Sequence, residues 1–296
     1  MESLYRSLYD TLKPLPDYLE VYPAHGQGSL CGKGMSAKPL STLGYERLAN
    51  PMLGYSDFSD FKNVVLSDLP VRPQSFSAII AANLSGSELL PVRDFAEYAI
   101  SADMTDALIK SGAVLLDLRD AASYGEAHIP GSINIDFSSG AILNWVGVVI
   151  PPESELVLVI PPDNSFEEVY TELRRIGYDA VGGWLVGGIH AWVDSGRETQ
   201  RLPHLSASDL KARLSAENPP AVIDVRSRDE FMDMSIEGSD NLPLSIIHDN
   251  GAYTADIDME TVVICQSGFR ASIAASLLQS RGYSNISLLA GGLNEW

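Results

Sequence analysis

The chain has 296 residues, 45% of them hydrophobic, which is long enough for two or three domains. Its formal net charge of −19 disfavours nucleic acid and anionic membranes as partners. No run of 18 apolar residues offers a membrane span, Met1-Glu2-Ser3-Leu4-Tyr5-Arg6 lacks a signal-peptide pattern, and two cysteines make a disulfide framework implausible. A reducing cytoplasm is the expected location.

Residues 1–90 begin with a short strand at Glu20-Val21-Tyr22, followed by a glycine-rich loop from Pro23 to Gly34. Helices are predicted over 42–50, capped by Ser41 or Thr42, and over 57–66, ended by Pro70 and Pro73. Asn83 to Arg93 reads as a linker. The five histidines are His25, His128, His190, His204 and His248, and none has metal-ligand spacing with another. His25 reads as a loop residue bonded to backbone and Cys31 as a packing residue, with a second sulfur relay left open.

The string Tyr22-Pro23-Ala24-His25-Gly26, with Gly28-Ser29, Cys31-Gly32, Ser41 to Arg47 and Asn50-Pro51, resembles the C-terminal part of metallo-β-lactamase-fold proteins. More narrowly it is similar to persulfide dioxygenases and glyoxalase II-like hydrolases. The resemblance covers about the first 80 residues. That family's His-x-His-x-Asp-His cluster is missing here. The resemblance therefore implies a truncated, non-catalytic remnant that holds no metal.

From Ile100 onward the chain repeats itself at a spacing of about 105 residues. Ile100-Ser101-Ala102 matches Leu205-Ser206-Ala207, each with a serine cap opening an amphipathic helix. Val114 to Arg119 matches Ala221 to Arg226, Gly131 to Asn134 matches Gly238 to Asn241, and Gly187-Gly188 with Trp192 matches Gly291-Gly292 with Trp296. Apolar β-branched runs alternate with helical patterns, which predicts two α/β domains with parallel sheets. Asp117 with Arg119, and Asp224 with Arg226, read as structural ion pairs at strand ends. In the first repeat, Leu156 to Ile160 runs into Pro161-Pro162-Asp163-Asn164-Ser165.

The matching run in the second repeat, Val262-Val263-Ile264, delivers Cys265 to the loop Gln266-Ser267-Gly268-Phe269-Arg270. A helix follows at once, with Ile273, Ala274, Leu277 and Leu278 at helical spacing and Gly282 at its C-terminal cap. Such a loop aims backbone N–H groups and a helix N-terminus at its occupant, here the cysteine sulfur. Thiols in these surroundings become nucleophilic thiolates at neutral pH. Gly268 supplies a positive φ, and Arg270 can grip an anionic donor or the charged sulfur. By count, Ile160 stands at the position of Cys265 and Ser165 at that of Arg270. Two prolines remove two N–H donors, and Asp163 adds negative charge, so the first repeat is expected to fold without catalysing.

Cys-x-x-Gly-x-Arg after a buried strand resembles the active-site loop of rhodaneses, sulfurtransferases that carry a persulfide on this cysteine. Asp117-x-Arg119, His128-Ile129-Pro130-Gly131, Asp224-x-Arg226 and Glu230-Phe231 carry the same resemblance. In the second repeat the His-x-Pro-Gly turn reads Ser235-Ile236-Glu237-Gly238. The resemblance extends to fusions of persulfide dioxygenase and rhodanese domains.

It implies an α/β protein with a metallo-β-lactamase-like remnant at 1–90, an inactive rhodanese-like domain at 91–197 and a catalytic one at 198–296. Cys265 would be the nucleophile and Arg270 the donor-orienting group, with Gln266, Ser267, Gly268 and Phe269 as substrate-binding residues. Neither metal nor cofactor is implied. Thiosulfate or glutathione persulfide would donate sulfur and a thiol or cyanide accept it, with a homodimer left open. Rival readings are a persulfide dioxygenase or hydrolase lacking its metal half, a phosphatase or arsenate-type reductase, and a non-enzymatic sulfur carrier. The six-residue loop argues against the phosphatase.

Overall fold

The computed structural model describes residues 1–24, 38–67, 73–86, 94–247 and 253–296. His25, Cys31 and His248 lie outside the described residues, as does the linker segment 87–93. The chain divides into two units, Met1–Val71 and Arg72–Trp296.

The first unit pairs β1 (Glu20–Val21) with β2 (Ser41–Thr42) antiparallel. Thr42 caps the helix Leu43–Ala49 by accepting the Tyr45 N–H at 3.3 Å. The predicted helix over 57–66 is present as Phe58–Ser67. Its small core is aromatic: Phe61 is fully buried and meets Tyr5, Tyr9 and Tyr55 edge-on.

The second unit carries two five-stranded parallel sheets of matching order. In the first repeat β3 (Ala99–Ile100), β4 (Val114–Asp117), β5 (Ile133–Asn134), β6 (Leu156–Val159) and β7 (Val181–Leu185) lie in the order β3-β7-β6-β4-β5. In the second, β8 (His204–Leu205), β9 (Ala221–Asp224), β10 (Asp240–Asn241), β11 (Thr261–Ile264) and β12 (Ile286–Leu289) lie in the order β8-β12-β11-β9-β10. β6 and β11 are central and wholly buried, as unbroken apolar runs in a parallel sheet should be. Ser101 and Ser206 cap their helices by accepting the N–H groups of Met104 and Asp209.

The helix Phe76–Ser85 departs from expectation, since a linker is predicted from Asn83. It is apolar nearly all round and its Ser75 makes no side-chain cap, so neither periodicity nor a cap announces it. Just before it, the Gln74 N–H donates to Gly147 O at 2.7 Å, which ties residues 73–86 to the first repeat. The turn at 235–238 keeps its form without histidine or proline. Gly131 and Gly238 have φ of +81° and +79°, and Ser132 and Ser239 donate equivalent bonds to Ile129 and Ile236.

The helix after Cys265, Phe269–Ser280, is buried continuously from Ala271 to Leu278. Its own sheet covers one side and the first repeat the other. Across that seam Ser272 Oγ donates to Asn134 Oδ1 at 2.5 Å, and the Asn134 N–H donates to Ser276 Oγ at 3.0 Å. No helix among the described residues is long and apolar enough to cross a membrane.

Candidate active site

β11 ends at Ile264, and the next residue is Cys265, only 1% exposed. Crevices at the carboxyl ends of parallel strands are where ligands bind in open α/β sheets. The Cys265 sulfur accepts the Gly268 N–H at 3.1 Å and the Ala271 N–H at 3.4 Å. Gly268 is the N-cap of the helix with φ +96°. A Cβ there would meet nothing within 4 Å, so the positive φ, and not crowding, calls for glycine.

The outer side of the loop is held by the chain's last turn. Leu293 N–H donates to Cys265 O at 2.9 Å and Asn294 N–H to Gln266 O at 3.1 Å. Both loop carbonyls are thereby occupied, while the N–H groups of Gly268 and Ala271 point at sulfur. This approach requires Gly292: a Cβ on it would lie 2.4 Å from Cys265 O. Gln266 is clamped as well, donating Nε2–H to Asn294 Oδ1 at 2.6 Å and accepting from Arg226 Nη1 at 3.2 Å. Ser267 is exposed, and Phe269 packs half-buried on the core.

Arg270 is not a free cation. Its Nη1 and Nη2 donate to the two oxygens of Glu230 at 2.7 and 2.8 Å, a bidentate pair of fixed geometry. Glu230 also completes a capping box with Ser227 at the start of the helix Arg228–Asp233. Hydrogen bonding to Arg270 holds the Glu230 carboxyl at about 2, and the same contact raises the Arg270 guanidinium. The Asp224–Arg226 pair, at 2.8 Å, is almost wholly buried, as a structural pair should be. Removing either partner would strand a charge at a cost of about 3–5 kcal/mol.

The structure thus brings Cys265, Gln266, Ser267, Gly268, Phe269 and Arg270 into one loop around the sulfur. Sequence reasoning missed Glu230, Arg226, Gly292 and Asn294 as parts of this arrangement. The Gly-Gly pair shared by both repeats was the available signal for Gly292. Among the described residues no group of three or more His, Cys, Asp or Glu side chains is placed to hold a metal ion.

A hydrogen-bonded cysteine stands at the tip of the central parallel strand in the second of the two matching sheets, and Ile160 takes that place in the first. The rhodanese-like domain family matches residues 101–195 and 206–296, and the chain belongs to that family. The chain is 34% identical over 101 residues to the thiosulfate sulfurtransferase GlpE of Pseudomonas fluorescens, covering 33% of this chain and 85% of that protein. It is 34% identical over 86 residues to the adenylyltransferase and sulfurtransferase uba4 of Ogataea parapolymorpha, covering 28% of this chain but only 22% of that protein. A crystal structure of a metallo-beta-lactamase from Staphylococcus aureus is 29% identical with a TM-score of 0.49, covering 62% of this chain and 49% of that one.

Proposed function

We propose that the protein is a rhodanese-type sulfurtransferase that moves sulfane sulfur through a persulfide on Cys265. The observation that carries this is the Cys265 sulfur, seated on the N–H groups of Gly268 and Ala271 at 3.1 and 3.4 Å. Both N–H groups face the sulfur that forms and breaks S–S bonds during the transfer.

The thiolate attacks the outer sulfur of thiosulfate. The new Cys265 S–S bond forms as the S–S bond of thiosulfate breaks, and sulfite leaves with the electron pair. With a persulfide donor, RS–SH, the same attack gives Cys265–S–SH and releases the thiolate RS⁻. Cyanide or a thiolate then takes the outer sulfur, and the Cys265 thiolate is the leaving group. The loop N–H groups stabilise charge on both sulfurs throughout. Arg270, aimed by Glu230, orients the donor.

Residues 1–90 form a non-catalytic remnant of a metallo-β-lactamase fold, residues 91–197 an inactive domain and residues 198–296 the catalytic one, in a cytoplasmic protein that needs no cofactor. Two-substrate kinetics test the reaction course. Thiocyanate formation from thiosulfate and cyanide should give parallel double-reciprocal lines, the signature of a ping-pong reaction. Intersecting lines would mean that donor and acceptor bind together, which the persulfide route does not allow.

A further inference from the structure

We propose that the cleft between the two repeats selects donors carrying an ammonium group near their sulfane sulfur, with Asp136 as the recognising carboxylate. This rests on the sulfurtransferase reading and specifies its substrate class. The cleft has a volume of about 390 Å³, room for an amino-acid-sized molecule. One wall is Asn134, Asp136 and Ser139 of the first repeat, and the other is Ser267, Gly268 and Phe269 of the loop that carries Cys265. A donor seated on the loop therefore lies beside the first repeat.

Asp136 is the charged residue of this lining, and no Lys or Arg stands among the lining residues. Its Oδ1 accepts the N–H and the hydroxyl of Ser138 at 2.8 and 2.7 Å. Oδ2 has no hydrogen bond among the described residues. Arg270, paired with Glu230, is not among the residues that line the cleft. In the cleft a dianion such as thiosulfate meets the Asp136 carboxylate, with no Lys or Arg in the lining. An ammonium group meets that carboxylate together with the hydroxyls of Ser139 and Ser267.

Two small persulfides of similar size separate the cases: cysteamine persulfide, which carries an ammonium group, and 3-mercaptopropionate persulfide, which carries a carboxylate. Sulfur loading of Cys265 is timed on the full chain, on Asp136→Asn and on Ser139→Lys. Asparagine can still accept the Ser138 bonds, so the local turn is kept. For a partly exposed charge pair the wild type should load the ammonium donor about tenfold faster. Asp136→Asn should shrink that ratio to about twofold or less, and Ser139→Lys should bring it to one or below. An unchanged ratio in Asp136→Asn, or no preference in the wild type, overturns the selection while leaving the sulfurtransferase reading intact. Loading by neither donor, nor by thiosulfate, overturns both.

Discussion

The two repeats share a skeleton and differ where the chemistry would sit. Asp117–Arg119 and Asp224–Arg226 are the same buried pair, and Asn134 and Asn241 make the same bonds to the carbonyls beside them. The spare guanidinium nitrogen tells them apart: in the first repeat Arg119 Nη1 donates to Ser123 O, whereas Arg226 Nη1 reaches into the loop at Gln266. Ser123 stands where the second repeat has Glu230, so the first repeat has no carboxylate at that position. From Ile160 to Gly177 the chain length equals that from Cys265 to Gly282, yet the first helix starts at Phe166 and the second at Phe269. Pro161 and Pro162 keep two further residues out of the helix, so Ser165 becomes the N-cap instead of standing in the first turn like Arg270. Scaffold pairs therefore persist where they satisfy buried charge, and the loop is free to change because only a reaction needs it.

Gly292 and Gly188 sharpen this contrast most. Both have positive φ, +64° and +57°, so alanine is strained at either. Only at Gly292 would the new Cβ collide with the cysteine carbonyl, whereas at Gly188 it meets nothing within 4 Å. Gly292→Ala should cut the rate of sulfur loading about 100-fold by displacing the loop, and Gly188→Ala should only lower stability by about 1–2 kcal/mol. Equal effects in loading assays would break the comparison.

Glu230→Gln should lower kcat/KM about tenfold, because Arg270 loses a charged, forked partner. Glu230 has a folded value of about 2, below its unfolded value of about 4.3, so its stabilisation is complete above about 4.3 and is lost as pH falls through about 2. A rate profile from pH 5 to 9 should therefore drop as a whole in the variant without gaining or losing an acid limb.

His128 makes a smaller, purely structural prediction. It stacks on Tyr124 at 3.8 Å with Nδ1 3.0 Å from Tyr124 O, and its buried Nε2 has no partner among the described residues. Nδ1 therefore carries the proton, and burial pushes the ring down to about 4. The unfolded chain binds the proton more tightly, so stability is full above about 6.5 and falls as pH drops toward 4, by at most about 3 kcal/mol. Thermal melts of His128→Gln should show a weaker pH dependence over that window. The smallest effect is expected from Ile160→Cys: a cysteine placed in the proline-interrupted loop should acquire no sulfur by mass.

Much of the site is readable from local order. Strand, cysteine, glycine and helix follow one another without a gap, and the serine caps at 101 and 206 announce their helices one residue ahead. What stays hidden depends on which elements meet. Glu230 lies 40 residues from Arg270, and Asn134 lies 138 from Ser272. No periodicity encodes such distances. The role of Gly292 shows only when the last turn is laid against the carbonyl of Cys265. The helix Phe76–Ser85 escapes for the opposite reason, since an apolar run without a cap gives no face and no boundary to read.

The most direct test of the account is the intact mass of the full chain after exposure to thiosulfate or a low-molecular-weight persulfide, and again after cyanide. The account predicts a gain of one sulfur, about 32 Da, that cyanide removes and that Cys265→Ser never acquires. Sulfur retained on the Cys265→Ser chain, or no gain from any of these donors, would contradict it.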